Sequence, residues 1–316
     1  MGRIFAPLWD EVVLKISYVV TVYNKGHLLA PVLASLEGQI GDFSREFIFV
    51  DDGSTDNGPE LIRSMTASWD NVRLLRRVNG GPALATNTGL QAATGDFIKL
   101  VDADDVLAPW ASALLLDLAL KSRCDAIYGC GRYFRDGEAV VFPDAPAATA
   151  SLLDDPLHYA IRRGLAGASH LLVRREAVLA AGGCDEGVFA QDYSLALRLA
   201  ERSGRIGLTD AVVWQGPEDD PKRLMKNRAQ HEHDYNFALS RFVTQYPIAP
   251  AYRHLAAKRA TGRAWNWAKR HFGMAKAMPW LWLNLRARGG ADSDALFEAA
   301  CQPFRRSTAI RIPAQQ

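Results

Sequence analysis

Between residues 15 and 131, short apolar runs alternate with segments of helical pattern, and this rhythm constrains the fold more than any other feature. "KISYVVTVYN" reads as a first strand and "KGHLLAPVLASLEGQ" as a helix with Pro31 near its start. "EFIFVDDGSTD" is a buried strand ending in carboxylates, followed by the helix "GPELIRSMTASW". "NVRLLRR" gives a third strand, "GPALATNTGLQAAT" a helix, and "GDFIKLVDADD" a fourth strand. "PWASALLLDLALKS" reads as a helix with Pro109 in its first turn, where the missing N–H costs nothing, and "CDAIYGCG" as a fifth strand. Strands separated by helices imply βαβ crossovers, hence an α/β fold with a mostly parallel sheet flanked by helices.

After residue 131 the rhythm changes. "RYFRDGEAVVF" places an Asp-Gly turn between β-prone runs and predicts a hairpin. "ASHLLVRREAVLAAGG" predicts a strand running into a helix that stops at Gly182-Gly183. "QDYSLALRLAERSG" is an amphipathic helix and "IGLTDAVVWQ" a closing strand. From about residue 218 the pattern is helical, basic and aromatic. The expected organisation is an α/β domain over 1–217, with halves at about 15–131 and 132–217, and a helical C-terminal extension over 218–316.

Charge supports that division. From residue 251 onward twelve Lys and Arg stand against three acids, a net +9, whereas the first 250 residues carry −7. Cys124, Cys130, Cys184 and Cys301 lack zinc-type pairing and read as reduced thiols, pointing to a cytoplasmic location. No signal peptide is expected in "MGRIFAPLWDEVV", and no apolar run reaches the roughly 18 residues of a membrane span.

Two acidic clusters, Asp51-Asp52 and Asp102, Asp104, Asp105, close separate apolar strands. In an open parallel sheet, ligands bind outside the carboxyl ends of the strands, so both clusters are expected at one crevice. Oxygen-only donors suit a hard dication, Mg²⁺ or Mn²⁺, which would relieve the repulsion among them and hold a phosphate-bearing substrate. A lone Asp before a helix reads more simply as a complement to the helix dipole. Three, with a second pair on another strand, favour the cation.

Four pieces, "SYVVTVYNKGHLLAPVLASLEGQ", "FIFVDDGSTDNG", "NGGPALATNTGLQAATGDFIKLVDADD" and "GGCDEGVFAQDYSLALRL", occur in an order that resembles the family-two glycosyltransferases of the GT-A fold, over roughly residues 15–215. The resemblance implies an inverting, metal-dependent enzyme of cell-surface polysaccharide synthesis. It would use a nucleotide-sugar donor, a UDP-sugar first, and a glycan or lipid-linked acceptor. Thr21 and Tyr23 would hold the base, against ordinary strand packing for Tyr23. Asp52, with Asp51, would accept hydrogen bonds from the base; the alternative for Asp51 is a turn with "GSTD". Asp102 and Asp104 would be the Asp-x-Asp, Asp102 near ribose or metal and Asp104 the main metal ligand. Asp105 would support them or cap a helix. Asp192 would be the catalytic base, although by itself it reads as a helix N-cap.

Three positions depart from the family pattern. Thr86 stands where the family often has an Arg that helps neutralise the donor diphosphate. Gln191 replaces an acid beside Asp192, and "WQGPEDDP" replaces a His-bearing turn. These departures support an alternative, an inactive sugar-nucleotide-binding or scaffold protein. His231 and His233 follow in the chain, and one could supply a metal contact, but two apart on a helix they diverge and are expected to face solvent. His170 is expected to be a satisfied strand residue. The tail carries Trp265, Trp267, Trp280 and Trp282 among its cations, which fits either peripheral contact with a membrane's inner face or a helical cap packed on the catalytic domain. No nucleic-acid module accompanies the basic residues, and no Gly-x-Gly-x-x-Gly follows the first strand, so neither a nucleic-acid partner nor a dinucleotide is expected.

Overall fold

The computed structural model describes residues 13–135, 138–165, 167–218, 227–311 and 313. The N-terminal segment, the Asp136-Gly137 turn and most of "PEDDP" lie outside them. The predicted alternation is present: β1 (Lys15–Val22), α1 (Gly26–Glu37), β2 (Ser44–Asp51), α2 (Gly58–Met65), β3 (Val72–Arg76), α3 (Pro82–Ala92) and β4 (Phe97–Asp102) follow in order. Two details were not foreseen. A short β5 (Val106–Leu107) precedes α4 (Ala111–Ser122), and Pro109 lies in the turn before that helix rather than in its first turn.

The expected hairpin does not form. Arg132–Phe134 instead prolong β6 (Ala126–Phe134), which pairs in parallel with β9 (Ile206–Pro217), and residues 138–143 carry no strand. A long neighbour already offered paired backbone groups for those residues. Between β6 and β9 come β7 (Ser151–Leu152), α5 (Pro156–Arg163), a 3₁₀ turn (Ala168–His170), β8 (Leu171–Arg174), α6 (Arg175–Ala180) and α7 (Gln191–Arg202). The sheet order is β3-β2-β1-β4-β8-β6-β9-β5, with β7 also on β9. It is parallel across β3-β2-β1-β4, while β8 runs antiparallel to both β4 and β6.

Side chains alternate across the sheet with period two, which splits the core into two layers. Tyr18, Val20, Phe47, Phe49, Phe97 and Val101 face α1, α2 and α4. Val19, Ile48, Val50, Ile98 and Leu100 face the other way. The second layer runs on into the C-terminal helices α8 (Arg228–Gln245), α9 (Pro250–Phe272), α10 (Met274–Arg288) and α11 (Asp294–Arg305). On α9 a seam of Ala256, Ala257, Ala260, Ala264 and Ala268 is wholly buried in this same cluster, small side chains that let helices approach closely. The tail therefore shares the core of the nine-stranded sheet. Among the described residues, no helix is long and apolar enough to cross a membrane.

The approach of α3 to the sheet is tightest at Gly89, where an added Cβ would lie 2.3 Å from a Val19 methyl. Gly89→Ala is expected to destabilise the protein by about 1–3 kcal/mol, the usual cost of overpacking. Chemical denaturation with unchanged m-value is the measurement.

Candidate active site

A cleft of about 660 Å³ opens at the carboxyl ends of β1 and β4. Strand register assembles it: Val22 lies opposite Asp51 on one side of β1, and Thr21 opposite Asp102 on the other. Thr21, Tyr23, Asp52, Asp102, Asp104 and Asp192 all line it. Sequence-distant residues thus converge as expected, with one exception. Asp51 is wholly buried and does not line the cleft. Its Oδ1 accepts from the Ser54 N–H at 3.0 Å and its Oδ2 lies 3.0 Å from Arg76 Nε. Asp51 therefore fixes the turn after β2, the alternative weighed for it above.

Asp52 is held differently. Its two oxygens accept from the backbone N–H groups of Gly80 (3.0 Å) and Gly81 (2.8 Å), and Arg77 Nε lies 3.4 Å away. Gly81 precedes α3 as its N-cap at φ 93°, a positive φ that costs glycine little, and its N–H points at the carboxylate. Burial pushes the Asp52 pKa up, and the two N–H donors and Arg77 only partly oppose it. Carboxylate oxygens carry further lone pairs, so Asp52 keeps acceptor capacity toward the cleft.

The Asp102 N–H donates to Ser169 Oγ (2.9 Å), which ties the end of β4 to the turn before β8. Asp104 is 9% exposed, and Lys25 Nζ donates to its Oδ2 at 2.9 Å. Beneath them lies a group the pattern analysis did not single out. Lys99, inside the apolar run of β4, is fully buried and donates to the carbonyl of Ser169. Burial drives its pKa down to about 7, against the opposing pull of Asp105 and Asp102. A lysine between "FI" and "LV" was the available signal for it. Asp105 is also buried, and a side chain at Gly216 would collide with it.

Asp192 sits in the first turn of α7, whose N-cap is Ala190, so it is not itself the cap. Its Oδ2 accepts from the Gly167 N–H (2.6 Å) and its Oδ1 from the Tyr193 N–H (2.8 Å). Phe189, Ala190 and Gln191 complete this wall.

The far wall comes from the tail, through Gln230, His231, Asp234, Tyr235, Arg311 and Pro313. Here the expectation for the histidines fails. They diverge, but neither faces open solvent. His231 lines the cleft against the Tyr235 ring, and burial lowers its pKa. His233 is wholly buried between Asp234 (2.9 Å) and Arg305 (3.1 Å). His170 is satisfied as expected, its Nδ1 2.8 Å from the Gly129 carbonyl, although it stands in the 3₁₀ turn before β8.

The end of the chain is pinned by one side chain. Gln230 accepts from the Arg311 N–H and donates to the Arg311 carbonyl, both at 2.8 Å, as a strand neighbour would. The Arg311 guanidinium then lies over the Phe189 ring, 5.4 Å from its centre. Among the described residues, Lys25 and Arg311 are the Lys and Arg side chains lining the cleft. Thr86 is buried and does not reach it. It therefore supplies no contact to the cleft in place of the family's Arg.

No group of three or more His, Cys, Asp or Glu is arranged to hold a metal among the described residues. Asp102 and Asp104 nevertheless fit a Mg²⁺-type site, which takes one or two carboxylates and completes its shell with water and substrate phosphates. The Lys25 ammonium already rests on Asp104, a sign that this carboxylate is placed to receive a cation.

A parallel half-sheet carrying an Asp-x-Asp at a central strand end, joined to a mixed half that supplies an acid from a helix start, is the GT-A glycosyltransferase fold. Solved structures bear this out. TarS residues 1–349 of S. aureus, in complex with UDP-GlcNAc, superposes with a TM-score of 0.65 at 16% identity over 94% of this chain and 93% of that one. The mannosyltransferase PcManGT of Pyrobaculum calidifontis, in complex with GDP-Man and Mn²⁺, gives 0.61 at 19% over 95% and 84%. Residues 17–164, just under half of the chain, match the family described as Glycosyl transferase family 2. The glycosyltransferase YibD of Escherichia coli is 35% identical over 111 residues, 35% of this chain. That alignment spans 32% of YibD, about a third of its length.

Proposed function

We propose that this protein is an inverting glycosyltransferase. It moves a sugar from a nucleotide-diphosphate donor, a UDP-sugar, to a hydroxyl of a glycan or lipid-linked acceptor in cell-surface polysaccharide synthesis. The observation that carries the reading is the convergence of Thr21, Tyr23, Asp52, Asp102, Asp104 and Asp192, from four separate stretches of sequence, on one cleft. The donor in the TarS complex and the donor and metal in the PcManGT complex support the choice of ligands.

Each residue has a role its surroundings permit. Tyr23 is 48% exposed at the cleft and offers a ring face for a base to stack on. Asp52, fixed by Gly80 and Gly81, accepts hydrogen bonds from the base. Asp102 and Asp104 hold a divalent cation, Mn²⁺ or Mg²⁺, which when bound offsets the charge of the departing diphosphate. Asp192 accepts the proton of the acceptor hydroxyl as that oxygen attacks the anomeric carbon. The C–O bond to the diphosphate breaks as the new glycosidic bond forms, so an α-linked donor gives a β-linked product. Partly exposed Phe189 and Tyr235 beside Asp192 give apolar faces on which an acceptor sugar can rest.

Incubation with a panel of nucleotide sugars, with and without Mn²⁺, is the direct test. Metal-stimulated transfer with inversion by NMR supports the reading. Tight donor binding without turnover on any acceptor would instead favour a binding or scaffold protein.

Lys25 and Arg311 are assigned to the diphosphate in this reading. Arg311→Gln is expected to weaken UDP binding roughly tenfold, as for loss of one charge-assisted contact, and to weaken uridine binding little. Titration calorimetry of both ligands measures the difference. Equal losses would mean that Arg311 only shapes the wall.

A further inference from the structure

The tail packs three of its four tryptophans and leaves the fourth outside. Trp280 is buried, Trp265 and Trp267 are partly buried, and Trp282 is 61% exposed. Trp282 is not alone. Met274 (58% exposed), Met278 (36%) and Leu285 (46%) are exposed on the same helix, α10. At 100° per residue these four positions fall within an arc of about 80°, a stripe about 16 Å long. The buried residues of α10, Ala277, Trp280, Asn284 and Ala287, occupy the other side and seat the helix on the core. The helix is thus anchored by one face and shows solvent a second apolar one.

The charge around that stripe has a single sign. Arg286 and Arg288 project on either side of it, and Lys269, Arg270 and Lys276 are exposed at the end of α9 and in the first turn of α10. Residues 235–291 contain no Asp or Glu. The first acids beyond them are engaged elsewhere: Asp292 and Asp294 face Arg253, and Glu298 faces Arg305. Among the described residues, none of these five cations forms an ion pair. A second copy docking by the same face would bring like charges together. An anionic surface with an apolar layer beneath it matches both components, Met, Trp and Leu entering the layer while Arg and Lys remain among the headgroups.

We propose that α10 is a membrane-docking helix, lying in the interface of an anionic lipid leaflet with Met274, Met278, Trp282 and Leu285 inserted. The proposal does not depend on the transfer reaction. Its test needs no substrate.

The full chain is floated with vesicles of phosphatidylcholine alone and of phosphatidylcholine mixed with phosphatidylglycerol, at low and high salt. Association is expected with the anionic vesicles at low salt and should be strongly reduced at high salt. Each basic residue at an anionic surface is worth about fivefold in partitioning, so Arg286→Glu with Arg288→Glu should lower binding by at least about 25-fold. Trp282→Ser with Leu285→Ser should lower it at least about tenfold, since the apolar insertion is lost. Both variants alter exposed side chains, so melting temperature and nucleotide affinity should stay at wild-type values. Failure of the wild type to float with anionic vesicles at low salt overturns the proposal. So does undiminished flotation of both variants. A wild-type dimer in solution that Trp282→Ser with Leu285→Ser dissociates would assign the stripe to a second copy instead.

Discussion

Asp104→Asn is expected to reduce transfer by on the order of 10³-fold or more while the protein stays folded. Asparagine keeps the shape and one oxygen but removes the negative charge that a hard dication requires. Loss of metal-borne charge stabilisation at the leaving diphosphate accounts for several kcal/mol, which sets the size of the effect. The structure adds a second consequence. Lys25 Nζ lies 2.9 Å from Asp104 Oδ2, both side chains largely buried, so the variant leaves an ammonium without its carboxylate at the rim of the cleft. Metal-dependent UDP binding should fall, while binding of free nucleoside should change little. Lys25→Met removes the same ion pair and leaves the carboxylate, but it also removes a cation assigned to the diphosphate. Mn²⁺ titration without nucleotide, rather than UDP affinity, therefore separates the two effects. If Asp104→Asn retains full turnover, or EDTA leaves the wild type unimpaired, the metal assignment fails.

Much of this site could be read from the chain because strand ends are local features. An apolar run that stops at carboxylates shows where a strand leaves the core, and parallel pairing then brings two such ends together. Thr21 and Asp102 are opposite each other for that reason. What sequence could not supply was side-chain direction after the strand ends. Asp51 and Asp52 are adjacent and so point to opposite faces, and only packing decides that Asp51 meets Arg76 while Asp52 turns to the cleft. The histidines make the same point. Their divergence followed from helical spacing, but the structures they diverge toward, the cleft wall and the α11 side, are built by distant segments.

The antiparallel β8 lay beyond local reading for a related reason. Its four residues carry a strand pattern but no sign of direction, which is set by its place between β4 and β6. The hairpin failed because turn chemistry at Asp136-Gly137 is a local preference, whereas β9 offered Arg132–Phe134 a full ladder. The far wall left the faintest trace. Nothing in "TAIRIP" marks Arg311 as a cleft residue until Gln230 pairs with its backbone.

Asp192→Asn should lower kcat by about 10²–10⁴-fold, the range for loss of a positioned base, with donor affinity retained. The geometry makes this a demanding substitution. Both carboxylate oxygens accept backbone N–H bonds, from Gly167 and from Tyr193. An asparagine has one acceptor oxygen, so its NH₂ must face one of those N–H donors. That mismatch costs about 1–3 kcal/mol and should appear as a lower melting temperature. A fall in stability alone therefore says nothing about catalysis. The informative quantity is the split between binding and turnover, measured at a temperature where the variant is fully folded. Nucleotide-sugar affinity close to wild type, with kcat reduced by two or more orders of magnitude, identifies a group that acts in deprotonating the acceptor and not in holding the donor. If donor affinity falls in parallel with kcat, Asp192 serves mainly to join the Gly167 turn to α7, and the proton must leave by another route.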